Sequence, residues 1–369
     1  MSVLYDVVAA GMWTYSRAAF RVTTLAPPFR LRPRSLILVT HRRESDVPVV
    51  SPQIYFGARL WRNRSPRMSF AARDDMFLPG FFAGFPANLP TPARRLLFPV
   101  GIARWLPAVE VHPLRSASVA RLGEVVRARA NEPLAAMLAP AEASAFLARA
   151  ASVGLRAPVR AADVLRGEYA DLLWRAVSPA DAAGIGAEAF WSRRAAQAAT
   201  DFRAVVELVR SGGVLVVFPE GRPSPDGEIG PLQRGIAALV RRSEPEEILP
   251  VALAYDPLTR GRTRVAVAIG PAEPPPAEPI EALALALLRR TMPLTAGQIV
   301  AESVSAGRAA APLAAEAVDE ALSVSRPIEP DLLDRRRRAR RIGEALAAAE
   351  GAPPAVAFLA REFRSARAP

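Results

Sequence analysis

His41 is followed five residues later by Asp46 in the segment Thr-His-Arg-Arg-Glu-Ser-Asp. An imidazole beside a carboxylate makes a general base. The carboxylate fixes the imidazole tautomer and stabilises the imidazolium that forms when a proton is taken. On one regular helix, five residues correspond to about 140° of rotation, so the two side chains would diverge. They can meet only if His41 stands in a turn before the helix that begins near Asp46. The chain holds one other histidine, His112, which reads as a packing or hydrogen-bonding residue.

A second group of polar residues lies far along the chain. Residues 218–235 read Phe-Pro-Glu-Gly-Arg-Pro-Ser-Pro-Asp-Gly-Glu-Ile-Gly-Pro-Leu-Gln-Arg-Gly. Glycines free backbone amides that can hold an anion. Arg222 and Arg234 have the planar donors that pair with phosphate oxygens. Without other context, the segment is a charged surface loop after a core strand.

Both groups follow short apolar runs. Residues 35–40 (SLILVT) and 213–218 (GVLVVF) read as buried strands, and so do 248–254 (ILPVALA) and 264–269 (RVAVAI). Residues 47–61 predict a helix with Pro48 near its start. Residues 3–20 predict a mostly apolar helix that either packs on the core or dips into an interface. Residues 76–107 are rich in Pro, Gly and Phe and read as irregular, whereas 116–210 are alanine-rich with broken helical periodicity. Strands separated by helical stretches favour an α/β domain.

Composition narrows the chemistry. The 369 residues include 51% hydrophobic ones, enough for a large core. There is no cysteine, which excludes disulfides, thiol catalysis and zinc–thiolate sites. The net charge is +12, and every basic residue apart from the two histidines is arginine. That balance favours anionic membranes, phosphorylated substrates or acidic carrier proteins. No aromatic–basic interleaving supports a nucleic-acid partner. Residues 1–20 lack the basic start of a signal peptide. The apolar stretch 76–93 contains four prolines and cannot form a continuous spanning helix. A role at a membrane would therefore be peripheral or monotopic.

The order of the motifs carries a resemblance. His-x4-Asp after one strand and Phe-Pro-Glu-Gly after a later one resembles the glycerolipid acyltransferase superfamily, that of the 1-acyl-glycerol-3-phosphate acyltransferases. Its third block resembles the stretch here at Phe218, Pro219, Glu220, Gly221, Ser224, Asp226, Gly227, Pro231, Arg234 and Gly235. Val109 to Arg115 is similar to its second block, and Ile248 to Val251, with Pro250, to its fourth. Three positions depart from the pattern. Thr40 replaces an asparagine, Pro223 interrupts the run after the glycine, and Gln233 replaces a lysine.

The resemblance implies that His41 deprotonates an acceptor hydroxyl and Asp46 orients it. The hydroxyl then attacks an acyl thioester directly, without an acyl-enzyme. Arg115, Phe218, Pro219, Glu220, Gly221, Arg222 and Arg234 would bind the glycerol-phosphate part of a glycerophospholipid precursor such as lysophosphatidate. Glycerol-3-phosphate or another lipid alcohol is the alternative acceptor, and a non-catalytic lipid-binding protein the alternative role. Acyl-CoA or acyl carrier protein would be the donor. No metal or bound cofactor is implied. The expected place of work is the cytoplasmic face of an anionic membrane.

The expected fold is α/β, a mixed sheet flanked by helices, with helical insertions and a helical C-terminal tail. An acyltransferase domain would span 1–270, with insertions at about 78–104 and 118–198. The resemblance covers roughly 1–77, 105–117 and 199–270. A Pro-rich linker at 271–279 and a helical region at 280–369 would follow. Two features stay open. The Phe-rich stretch LPGFFAGFPANLP is either a packed loop or a membrane-dipping, acyl-lining segment. The arginine run from 335 to 341 is either a solvated helix face or a contact for anionic headgroups.

Overall fold

A computed structural model describes residues 3–27, 29–42, 46–58, 67–84, 90–152, 154–155, 158–181, 186–221, 229–256, 262 and 264–291. Arg222, Phe85, the tail beyond 291 and its arginine run lie outside the described residues. The chain divides into two compact units, one made of residues 1–70 and 206–369 and the other of 71–205.

Among the described residues the strands are β1 (Arg21–Leu25), β2 (Ser35–Val39), β3 (Met68–Arg73), β4 (Val111–Leu114), β5 (Ala120–Arg121), β6 (Ala176–Val177), β7 (Val214–Val217), β8 (Glu247–Asp256) and β9 (Arg264–Ile269). Seven of them form a mixed sheet in the order β1-β9-β8-β2-β7-β3-β4, and β5 and β6 make a small antiparallel pair. The protein is thus α/β, with a seven-stranded mixed sheet flanked by helices. β2 runs parallel to both β7 and β8, and β8 is antiparallel to β9.

The apolar runs become strands because their side chains have cover on both faces. All five residues of β2 are buried, and Leu36, Ile37, Leu38 and Val39 have no exposed surface. Burying each such side chain stabilises the fold by about 1.5–3 kcal/mol. Pro250 stands inside β8 opposite Leu38 of β2. Its carbonyl accepts from Gly270 N, and its ring lies so close that a Cβ on Gly270 would meet it at 2.8 Å.

Two helices of the first unit pack together, Val3–Ala19 and Asp46–Gly57. Tyr5 and Tyr55 meet with ring centroids 5.7 Å apart. Tyr55 donates to Asp6 at 2.6 Å, and burial together with that carboxylate pushes the phenol up to about 12. The first helix therefore packs on the core along Tyr5, Ala9 and Ser16, while Val3, Val7 and Trp13 stay exposed. Among the described residues no helix is long and apolar enough to cross a membrane. Within the Pro-rich segment, Glu273 exchanges two backbone hydrogen bonds with Ile248 before the helix Ile280–Thr291.

The second unit has its own core, including Leu122, Val126, Phe146, Tyr169 and Trp191. The described residues within 76–107 are less irregular than composition predicts. A helix covers Thr91–Leu97, with Pro92 in its first turn. Proline there starts a helix instead of breaking one, because its missing N–H had no helical partner to lose. Phe81 packs edge-on against Trp174, with centroids 5.8 Å apart, and Ala83 is fully buried.

Candidate functional site

His41 lies just past the carboxyl end of β2, outside any helix, and Asp46 opens the next helix. The chain turns between them, and His41 Nδ1 comes 3.0 Å from Asp46 Oδ2. The carboxylate is wholly buried, and the imidazole is 13% exposed. Asp46 Oδ2 also accepts from the amide of Arg42, and Oδ1 accepts from the hydroxyl of Tyr255 at 2.7 Å. Its position at a helix N-terminus adds a favourable dipole. An acceptor on Nδ1 fixes that nitrogen as the protonated one. The lone pair is then on Nε2, which makes no hydrogen bond with any described residue.

The neighbouring strand delivers the second motif to the same end of the sheet. β7 stops at Val217, and Phe218 lies against the His41 ring with centroids 4.8 Å apart. The chain then reverses, as Gly221 N donates to Phe218 O at 3.0 Å. Gly221 has φ +70°, and a Cβ there would meet the Gln233 side chain at 3.1 Å. Glycine is thus required by both backbone and space. Gln233 clasps the turn, since its amide donates to Pro219 O and its Nε2 to Glu220 O. The departure from lysine at 233 therefore has a structural use.

Glu220 is 4% exposed and faces backbone. Oε1 accepts from His41 N at 2.7 Å and Oε2 from Gly230 N at 3.1 Å. Burial raises its pKa above the ordinary value, while the two amides and the nearby Arg42 and His41 hold it down. Thr40 also fastens the strand end. Its amide donates to Val251 O, and its hydroxyl accepts from Leu253 N at 2.9 Å.

The structure thus brings together His41, Asp46, Phe218, Pro219, Glu220 and Gly221. Arg234 is exposed just before the helix Gly235–Ser243. Arg115 belongs to the second unit, where its NH1 contacts both oxygens of Asp201 at 2.8 and 2.9 Å.

Residues 177–254 match the Acyltransferase family model. The match supports the acyltransferase superfamily, and with it an enzyme that transfers acyl groups. The matched stretch takes in β7, the Phe218–Gly221 turn and most of β8. His41 and Asp46 lie outside it. No curated protein matches the chain.

Sequence reasoning missed Tyr255, the hydroxyl partner of Asp46. The signal was slight, a polar aromatic near the end of the long apolar run of β8. It also missed the fastening roles of Thr40 and Gln233, which entered only as departures from a family pattern.

Proposed function

We propose that this acyltransferase moves a fatty acyl chain from an acyl thioester, acyl-CoA or acyl carrier protein, to a hydroxyl of a glycerophospholipid precursor such as lysophosphatidate. His41 Nε2 takes the proton as the hydroxyl oxygen attacks the thioester carbonyl. Asp46 stabilises the imidazolium, with Arg42 N and Tyr255 holding the carboxylate. The tetrahedral intermediate then collapses. The thiolate leaves and takes the proton back from His41, giving an ester and a free thiol.

The observation that carries this reading is the His41–Asp46 pair at the end of β2, beside the strand and turn that fall in the acyltransferase match. Glu220 acts by holding the His41 backbone. Pro219 and Gly221 shape the turn, and Phe218 walls the imidazole. Arg115, Arg222 and Arg234 are proposed contacts for the acceptor's phosphate. The protein works peripherally on an anionic membrane at its cytoplasmic face, a role favoured by the +12 charge and the exposed Val3, Val7 and Trp13.

The test is a donor-by-acceptor panel read by lipid mass spectrometry, with wild type and His41→Ala side by side. Ester formation by wild type and its loss in the folded variant is expected. Lipid binding without transfer by wild type across the panel would instead favour a non-catalytic lipid-binding role.

A further inference from the structure

The second unit contains an open cavity of about 290 Å³. Leu78, Pro79 and Phe190 give it apolar wall, and Glu124, Arg127 and Arg193 give it charge. These charged groups differ in how far they are already satisfied.

Arg194, also in the lining, is already engaged at all three of its nitrogens. Its Nε donates to the carbonyls of Ser116 and Val119, NH1 to Glu124 and NH2 to Asp74. It is a buried structural cation. Glu124 is only half used. Oε1 accepts from Arg194 at 2.6 Å, while Oε2 is buried with no hydrogen-bond partner. Buried acceptors are rarely left bare, because losing water without gaining a donor is costly. Burial also raises the Glu124 pKa in spite of Arg194.

Arg127 lies one turn further along the same helix, Leu122–Ala128. Burial lowers its pKa, and it forms no hydrogen bond or ion pair with any described residue. Arg193 is exposed on the helix Gly186–Arg210 and likewise has no partner among the described residues. One cavity therefore offers two uncommitted guanidinium groups, one uncommitted carboxylate oxygen and a short apolar wall.

We propose that this cavity binds a small organic phosphate bearing a hydroxyl or amide N–H. Arg127 and Arg193 take the phosphate, a dianion matched to two planar forks of donors. Glu124 Oε2 takes the hydroxyl or amide hydrogen. Leu78, Pro79 and Phe190 cover the carbon skeleton. Two sources share this chemistry, a free phosphate ester of a polyol and the phosphopantetheine arm of a thioester donor. The second source rests on the acyl-transfer reading, whereas the site itself does not.

Isothermal titration of the full chain tests the site without turnover. The probes are inorganic phosphate, glycerol 2-phosphate and 4′-phosphopantetheine. At least one ester is expected to bind at least tenfold more tightly than inorganic phosphate. Arg127→Gln should weaken that binding at least tenfold, and His41→Ala should leave it unchanged. Tighter binding of phosphopantetheine assigns the donor's arm, and tighter binding of glycerol 2-phosphate assigns a free ester. Arg193→Gln, at an exposed position, serves as the second variant should Arg127→Gln fail to fold. Three results would each overturn the proposal. They are no ester binding by wild type, an unchanged Kd in the folded arginine variant, or loss of binding in folded His41→Ala, which would put the ligand at the imidazole.

Discussion

The carboxylate of Glu220 accepts a hydrogen bond from the backbone amide of His41, 2.7 Å away and 179 residues distant in sequence. An acidic residue beside a candidate base could be read as a proton carrier or a substrate contact. Here both its oxygens are occupied by backbone amides, so its work is to fix where the imidazole starts. Replacing it should act on both stability and turnover. Glu220→Ala leaves the His41 and Gly230 amides without acceptors, which costs about 1–3 kcal/mol. The expected readout is a lower urea midpoint with unchanged slope, together with reduced kcat.

Glu220 also gives a pH dependence with a definite sign. Burial sets its folded pKa above the ordinary 4.5, so the folded protein holds this proton more tightly than the unfolded chain. Its stabilising contribution is complete below the unfolded pKa and is lost as pH rises through the folded one. Glu220→Gln removes the titration. Stability measured from pH 4 upward should therefore fall less steeply in that variant than in wild type.

The imidazole and its partners should separate by size of effect. His41→Ala is expected to reduce acyl transfer by a factor of about 100 to 10,000 while circular dichroism stays native. Asp46→Asn should slow turnover too, since a neutral amide stabilises the imidazolium less. Tyr255→Phe removes one donor from the buried Asp46 carboxylate and should cost about 1–3 kcal/mol of stability. Wild-type turnover in folded His41→Ala would refute the mechanism.

Arg115 admits a sharper test than activity alone. Its contact with Asp201 predicts a coupling of about 1.5–3 kcal/mol in an Arg115→Ala, Asp201→Ala double-mutant cycle read by denaturation. A phosphate contact predicts a raised KM for the acceptor with little change in kcat. Both effects are expected, because only NH1 of the guanidinium is taken up by Asp201.

Vesicles test the membrane reading. Binding to anionic vesicles should weaken steadily with added salt. Substituting Val3, Val7 and Trp13 together by serine should weaken it further, because these side chains are exposed on the first helix. The same substitution at Phe81 would instead destabilise the second unit through its packing on Trp174. Vesicle co-sedimentation alongside thermal melts distinguishes the two.

The strands that were legible in sequence are the ones buried on both faces. Continuous runs such as Leu36 to Val39 and Val214 to Val217 have no period to misread. β1 and β3 escaped because Arg21-Val-Thr-Thr-Leu and Met68-Ser-Phe-Ala-Ala-Arg mix polar and apolar residues. Their identity as strands depends on neighbours far along the chain. The His41–Asp46 pair could be expected from a spacing that only a turn can close. Tyr255, Thr40 and Gln233 could not, because each acts through a long-range hydrogen bond that no local pattern encodes.

The order of strands has a consequence for how the chain is made. β1, residues 21–25, pairs with residues 264–268 of β9 and, among the described residues, with no other strand. β1 must therefore wait for β9, far later in the chain, before it gains this partner. β2 likewise waits for β7 and β8. Meanwhile the 71–205 unit, with its own core, can collapse on contacts made within its own length. Folding during synthesis should thus begin within residues 71–205, and the His41–Asp46 pair should take shape only after β7 and β8 have been made.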